Sequence, residues 1–274
     1  MRTAEVVALL YFVYLPMAGR LAAGLPAAAT LRPLNWADAA SLTLAAGSAS
    51  VQLLGNGPLA TVLRDWAPGA YLLLAYWMSG PYKGPAWPAF ERALLDIDRR
   101  LLGPVLLMGF ARRGPRLVLE ALEVAYFSCY PFVPAGLLVL ILADAPVDPD
   151  AFWTAVLLAS LPCYATICWF HTAPPRAVEP DLPIERRRLL VRRFNFRLLH
   201  RTSVHANTFP SGHVAATVAV ALTVAATHPS AGPAFLIWAA VIAVATVVGR
   251  YHFLADAVLG AALGVVAFLA AQGL

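Results

Sequence analysis

Charge is the first thing this sequence has little of. Only 13% of its 274 residues are Asp, Glu, Lys or Arg, about half the share usual in a soluble globular domain. Lysine is almost missing: Lys83 is the one lysine, and arginine carries the rest of the positive charge. Cysteine is scarce too. Cys129, Cys163 and Cys168 all lie within apolar runs, with no metal-binding spacing and no disulfide framework, so they read as small buried hydrophobes. These shortages exclude a soluble enzyme, a disulfide-stapled domain and a cysteine-built metal module.

What fills the chain instead is hydrocarbon. Hydrophobic residues make up 60% of it, the mean hydropathy is +0.70, and apolar stretches of about twenty residues recur, long enough to cross a bilayer as helices. The class is an all-α, polytopic membrane bundle, an integral protein assigned to the cell membrane. Five spans are expected near Phe253–Ala271, Pro233–Val248, Ser211–Thr227, Ala151–Phe170 and Leu117–Ala143, and a shorter sixth near Trp66–Gly80. Pro131 and Pro134 interrupt the Leu117 run and predict a kink there. Leu101–Ala111 is too short to cross and reads as re-entrant or interfacial. The division expected is an N-terminal unit, 1–65, followed by a six-helix unit, 66–274.

In the N-terminal unit, Val6–Leu15 and Ala39–Leu54 are candidates for one or two further membrane segments. A signal peptide is the competing reading, because Arg2 precedes an apolar core and Pro26-Ala27-Ala28-Ala29 offers small residues for cleavage. Glu5 and Arg20 flank that core awkwardly, which favours a retained segment.

A formal net charge of +5 raises the question of nucleic acid. The arginines lie in loops between spans, where lipid headgroups or a phosphate are the nearer partners, so nucleic acid is set aside. If all six spans cross, one face collects sixteen basic residues from the Lys83–Arg116 loop, the Pro174–Pro210 loop and Arg250. The positive-inside rule puts that face in the cytoplasm. Arginines that bind a phosphate substrate would enrich an active face on either side, and the orientation stays open.

Two short polar stretches share that face. Pro210-Ser211-Gly212-His213 opens the Ser211 span, and Arg250-Tyr251-His252 precedes Asp256 at the head of the last span. One span out and one span back bring His213 and His252 to the same side. In a helix, His252 and Asp256 share a face at i and i+4. The carboxylate can then hold one imidazole nitrogen and leave the other as a nucleophile. Pro210 suits a helix start, Ser211 and Gly212 are expected to offer backbone N–H groups to a phosphate, and His213 stands in the first turn. Taken singly, each has a bland reading: a satisfied buried His–Asp pair, and an ordinary serine N-cap. On one face they make a constellation.

That constellation resembles the phosphatidic acid phosphatase type 2 superfamily. Pro-Ser-Gly-His at 210–213 and His-x3-Asp at 252–256 match its second and third motifs. The resemblance implies a six-span core, phosphoryl transfer without a metal or other cofactor, His252 as nucleophile, Asp256 as its orienting carboxylate and His213 as general acid. It implies a lipid phosphate or diphosphate substrate, with Arg250, Ser211 and Gly212 at the phosphate. Two departures stand out. Thr246 occupies the place of the third motif's arginine, with Arg250 only two residues before His252. The first motif's lysine and Arg-Pro are replaced by His171-Thr172-Ala173-Pro174-Pro175-Arg176, making Arg176 a candidate second phosphate clamp. This pattern is similar to a divergent branch that includes inositol phosphorylceramide synthase-like proteins.

The readings carried forward are a lipid phosphatase and, as alternatives, a lipid phosphotransferase with an alcohol acceptor, a metal-dependent intramembrane hydrolase and a non-catalytic transporter. Two further patterns are structural. Arg186, Arg193, Arg197 and Arg201 form a basic stripe beside Leu190, Phe194 and Leu198, as in a helix lying among headgroups. Gly260 and Gly264 suit close helix packing. His171, His200 and His205 read as interfacial polar residues.

Overall fold

A computed structural model describes residues 1–22, 35–55, 57–104, 109–143, 147–179 and 187–273. The described residues form α1 (Thr3–Ala22), α2 (Trp36–Ser50), α3 (Pro58–Ser79), α4 (Pro88–Pro104), α5 (Phe110–Arg113) and α6 (Arg116–Leu142). They continue through α7 (Pro149–Ala165), α8 (Pro175–Val178), α9 (Leu190–Thr202), α10 (Gly212–Thr227), α11 (Gly232–Val248) and α12 (Leu254–Gln272). The protein is an all-α membrane bundle. Thr3–Ala22, Arg116–Leu142, Pro149–Cys168 and Leu254–Gln272 are long and apolar enough to cross a bilayer, and α10 and α11 are shorter apolar helices.

The sequence explains where these helices start. Asp148 caps α7 with Pro149 at its first position, the residue type whose missing N–H is harmless there. Asn35 and Asp38 form a reciprocal capping box at α2. Helix α6 runs through Pro131 and Pro134 without a break. Helix α3 begins at Pro58, so the division placed at residue 65 falls inside a helix. Helix α4, which the periodicity reading passed over, is amphipathic and buries Leu94 and Leu95 beside Phe253.

One core unites the N-terminal helices with the rest. Phe12 and Leu15 of α1, Leu137 of α6, Leu157 of α7, Val220 of α10 and Ile242 of α11 are fully buried in it. Helix α1 is also tied at its start and midway: the backbone N–H groups of Thr3 and Ala4 donate to Asp150 at 2.8 Å, and Tyr14 donates to the Ala165 carbonyl at 3.0 Å. The proposed cleavage stretch at 26–29, residues 105–108 of the short apolar run and Arg186 lie outside the described residues.

Three loops are joined beneath the bundle by two isolated bridges, Ala86 with His171 and Thr172 with Asn207. They form a small platform on the face where α3 and α7 end and α10 and α12 begin.

Candidate active site

Helices α10 and α12 touch at their starts, and that contact builds the site. A Cβ placed on Gly260 would lie 2.5 Å from the carbonyl oxygen of Ser211. Only glycine permits that approach. The backbone N–H of Ser211 donates to the backbone carbonyl of Asp256 at 3.0 Å. Gly264 continues the contact one turn on, where a Cβ would meet the Ala215 carbonyl at 2.6 Å. The close packing expected of these two glycines is therefore against α10.

Three polar side chains lie in a line at this junction. Nδ1 of His252 is 3.2 Å from Oδ2 of Asp256, and Nε2 of His252 is 3.3 Å from Nδ1 of His213. The Asp256 oxygen also accepts from Nδ2 of Asn207 at 2.7 Å and from the backbone N–H of Phe253 at 3.2 Å. Three donors converge on this one oxygen, and in the tautomer that gives it the Nδ1 proton His252 is fixed in orientation. In that tautomer Nε2 keeps its lone pair and faces Nδ1 of His213, a contact that a substrate must enter. His252 and Asp256 are buried, in surroundings where such interactions are stronger than in water.

Ser211 and Gly212 stand differently from the expectation of a phosphate cradle. Ser211 is the N-cap of α10, and its hydroxyl accepts from the Val214 N–H at 3.4 Å. Its own N–H is spent on Asp256, and the Gly212 N–H donates to Oγ1 of Thr208 at 3.3 Å. The first bond holds the two helix starts together, and the second closes the loop that leads into α10.

Arg250 is likewise engaged within the protein. Its guanidinium donates to Asp98 of α4 at 3.0 Å and to Glu179 at 3.1 Å. Burial pushes the Asp98 carboxyl up and the Arg250 guanidinium down from their ordinary values, and their ion pair opposes both shifts. Asp98 also accepts from the Leu254 N–H at 2.9 Å, capping α12. Arg250 has φ 60°, the left-handed region that non-glycine residues seldom occupy. This backbone turn places His252 beyond it.

Arg176 lies on the other side. It lines a cavity of about 520 Å³ together with His252, His213, His171, Asn207 and Tyr76. Its guanidinium is over the Tyr251 ring at 4.8 Å, and its backbone N–H donates to the Arg250 carbonyl at 3.3 Å. The structure thus brings His252, His213, Asp256 and Arg176 together, and turns the Arg250 guanidinium toward α4. His171 and His205, read from sequence as interfacial, also line the cavity.

Asn207, Glu123 and Arg192 were missed from sequence. Glu123 of α6 accepts from Arg192 at 2.6 Å, from Asn195 at 2.9 Å and from the Tyr251 hydroxyl at 2.5 Å. All four are buried. Helix α9 therefore turns Arg192 and Asn195 inward, while Arg193, Arg197 and Arg201 of the basic stripe are exposed. Nothing in the spacing of Arg192 sets it apart from its neighbours. The one usable signal was Glu123, an acid with apolar neighbours on both sides in a long apolar run.

The second apolar cavity, of about 330 Å³, meets the first at Tyr76, Thr208 and His213.

A family model described as the PAP2 superfamily matches residues 92–270. No curated protein and no solved structure matches the chain.

Proposed function

The chain belongs to the PAP2 superfamily, and we propose that it is an integral-membrane phosphatase of the cell membrane that cleaves a lipid phosphate or diphosphate ester through a phosphohistidine at His252. The observation that carries this reading is the line Asp256–His252–His213, whose reacting end opens into a cavity lined by Arg176.

In the first step the Nε2 lone pair of His252 attacks phosphorus, and the bond from phosphorus to the lipid alkoxide breaks. Asp256 stabilises the positive charge left on the ring. A bound phosphate dianion favours the charged form of His213, whose Nδ1 proton passes to the departing oxygen. In the second step neutral His213 takes a proton from water, the resulting hydroxide attacks phosphorus, and inorganic phosphate leaves as His252 regains its lone pair. Arg176 is the proposed counter-charge for the equatorial oxygens. Arg250, Ser211 and Gly212 act in this scheme by fixing where the two histidines stand.

The linear order also favours this chemistry over a metal site. Nδ1 of His252 is turned to Asp256 and Nε2 to His213, so the three groups do not converge on one point.

The test is to incubate the purified protein with phosphatidic acid carrying a ³²P phosphate, quench in alkali, and look for acid-labile label on the chain. Label on the native protein and none on His252→Ala is the expected result. Phosphate release undiminished in His252→Ala would overturn the reading. With inositol present, label transferred to that alcohol rather than released would identify a phosphotransferase.

A further inference from the structure

We propose that the apolar cavity holds one hydrocarbon chain of the substrate, and that Trp66, Gly69 and Trp153 at its far end limit how long that chain can be. This rests on the reading of the protein as acting on a lipid phosphate.

The two cavities differ in character and share His213. Arg176, His171 and Asn207 line the larger one. The smaller is walled by Leu72 and Leu73 of α3, Val133 and Pro134 of α6, and Ala216 of α10. Such a lining offers a phosphate almost nothing, whereas hydrocarbon fits it without leaving polar groups unpaired. A molecule with its phosphorus at His252 and its alcohol oxygen near His213 has its next carbons at the mouth of this slot.

Helix geometry gives the slot a length. Tyr76 and Trp66 lie on α3 at its two ends, ten residues apart and so separated by about 15 Å at 1.5 Å per residue. On α7, Tyr164 and Trp153 mark the same two levels, about 17 Å apart by the same rise. The far end is braced. The indole N–H of Trp153 donates to the Asp65 carbonyl at 2.6 Å, and a Cβ on Gly69 would lie 3.0 Å from the Trp153 ring. These two indoles are the proposed stop for the end of the chain.

The slot also has a side opening. Leu73 of α3 is 48% exposed and Tyr130 of α6, which lines the same slot, is 39% exposed, which offers a chain a way in from the bilayer between α3 and α6. Trp66 and Gly69 precede the segment matched by the family model, so this selection would belong to the chain's own N-terminal part.

The experiment uses the full chain in detergent micelles and dodecyl phosphate bearing a diazirine at the end of its chain. The His252→Ala variant is irradiated with this probe and labelled peptides are mapped by mass spectrometry. Label concentrated around Trp66, Gly69 and Trp153 is expected. Label on the outward faces of α11 and α12, near Ile237 and Val266, would overturn the proposal, as would labelling no stronger than that by a diazirine alkane without phosphate. In parallel, turnover of hexadecyl phosphate relative to octyl phosphate is measured. Trp66→Ala should raise that ratio by at least about tenfold, the scale on which an apolar pocket discriminates chain length. Leu73→Trp, at a half-exposed position, should lower it, and covers the case in which Trp66→Ala does not fold. Ratios unchanged in both folded variants count against the slot. A native protein that releases no phosphate from any ester, yet still labels at Trp66 and Trp153, would end the phosphatase reading and leave the slot standing.

Discussion

The ring of Tyr251 lies flat on that of Tyr126, with centroids 3.6 Å apart and planes within 4°. Tyr251 immediately precedes His252, so the stack fixes the last residue before the proposed nucleophile against α6. Burial, with Glu123 beside it, raises the Tyr251 hydroxyl well above its ordinary value, which keeps it a donor to Glu123. Removing that hydroxyl in Tyr251→Phe withdraws one partner from a buried carboxylate, at a cost of about 1–3 kcal/mol. Thermal unfolding in detergent should register the loss. Tyr251→Leu, which also removes the stack, should lower kcat further while leaving KM nearly unchanged. Native kcat in both variants would rule out a positioning role for the stack.

Asn207 is linked to His252 by way of Asp256, whose Oδ2 both contact. A hydrogen bond to a charged group contributes about 1.5–3 kcal/mol. If Asn207→Ala loses that in the transition state, kcat falls roughly 10- to 150-fold. Phosphohistidine formation in a single turnover is the measurement to make. A KM effect alone would place Asn207 at the substrate instead.

Arg176 and Arg250 should fail in different ways. Arg176→Ala is expected to fold normally and lose kcat/KM for every phosphate ester. Arg250→Ala leaves Asp98 buried without its counter-charge, a defect that costs on the order of 3–5 kcal/mol, so its unfolding midpoint should drop sharply. The two variants exchanging these behaviours would reassign the phosphate clamp to Arg250.

Gly260→Val puts a branched side chain where a Cβ alone already stands 2.5 Å from the Ser211 carbonyl. Helices α10 and α12 must separate, and His213 with them. Activity should vanish even where the protein still folds, as judged by gel filtration and circular dichroism. Native activity in this variant would mean that the helix contact does not govern the site.

Much of this architecture was legible in the sequence. Spans near Leu117, Ala151, Ser211, Pro233 and Phe253 stand close to α6, α7, α10, α11 and α12, because long apolar runs announce themselves. His213 and His252 fell on one face by counting crossings. The partners of those residues were not legible. Ser211 and Gly212 looked like open donors because a sequence displays a helix start but not the Asp256 carbonyl and Thr208 hydroxyl that fill it. Arg250 looked like a phosphate ligand because Asp98 and Glu179 are remote along the chain. Arg192 sat among exposed arginines, and only the docking of α9 on Glu123 turns it inward.

The bond between the Ser211 N–H and the Asp256 carbonyl is made by main-chain atoms alone. Away from Gly260, side chains around it can drift, as those of the arginine motifs already differ here, without loosening the join between the two histidine-bearing segments. A chain built this way can retune what it recognises at Arg176 or Trp66 while its reacting atoms keep their spacing. Proline at position 211, which has no N–H to give, would remove the donor of the join itself.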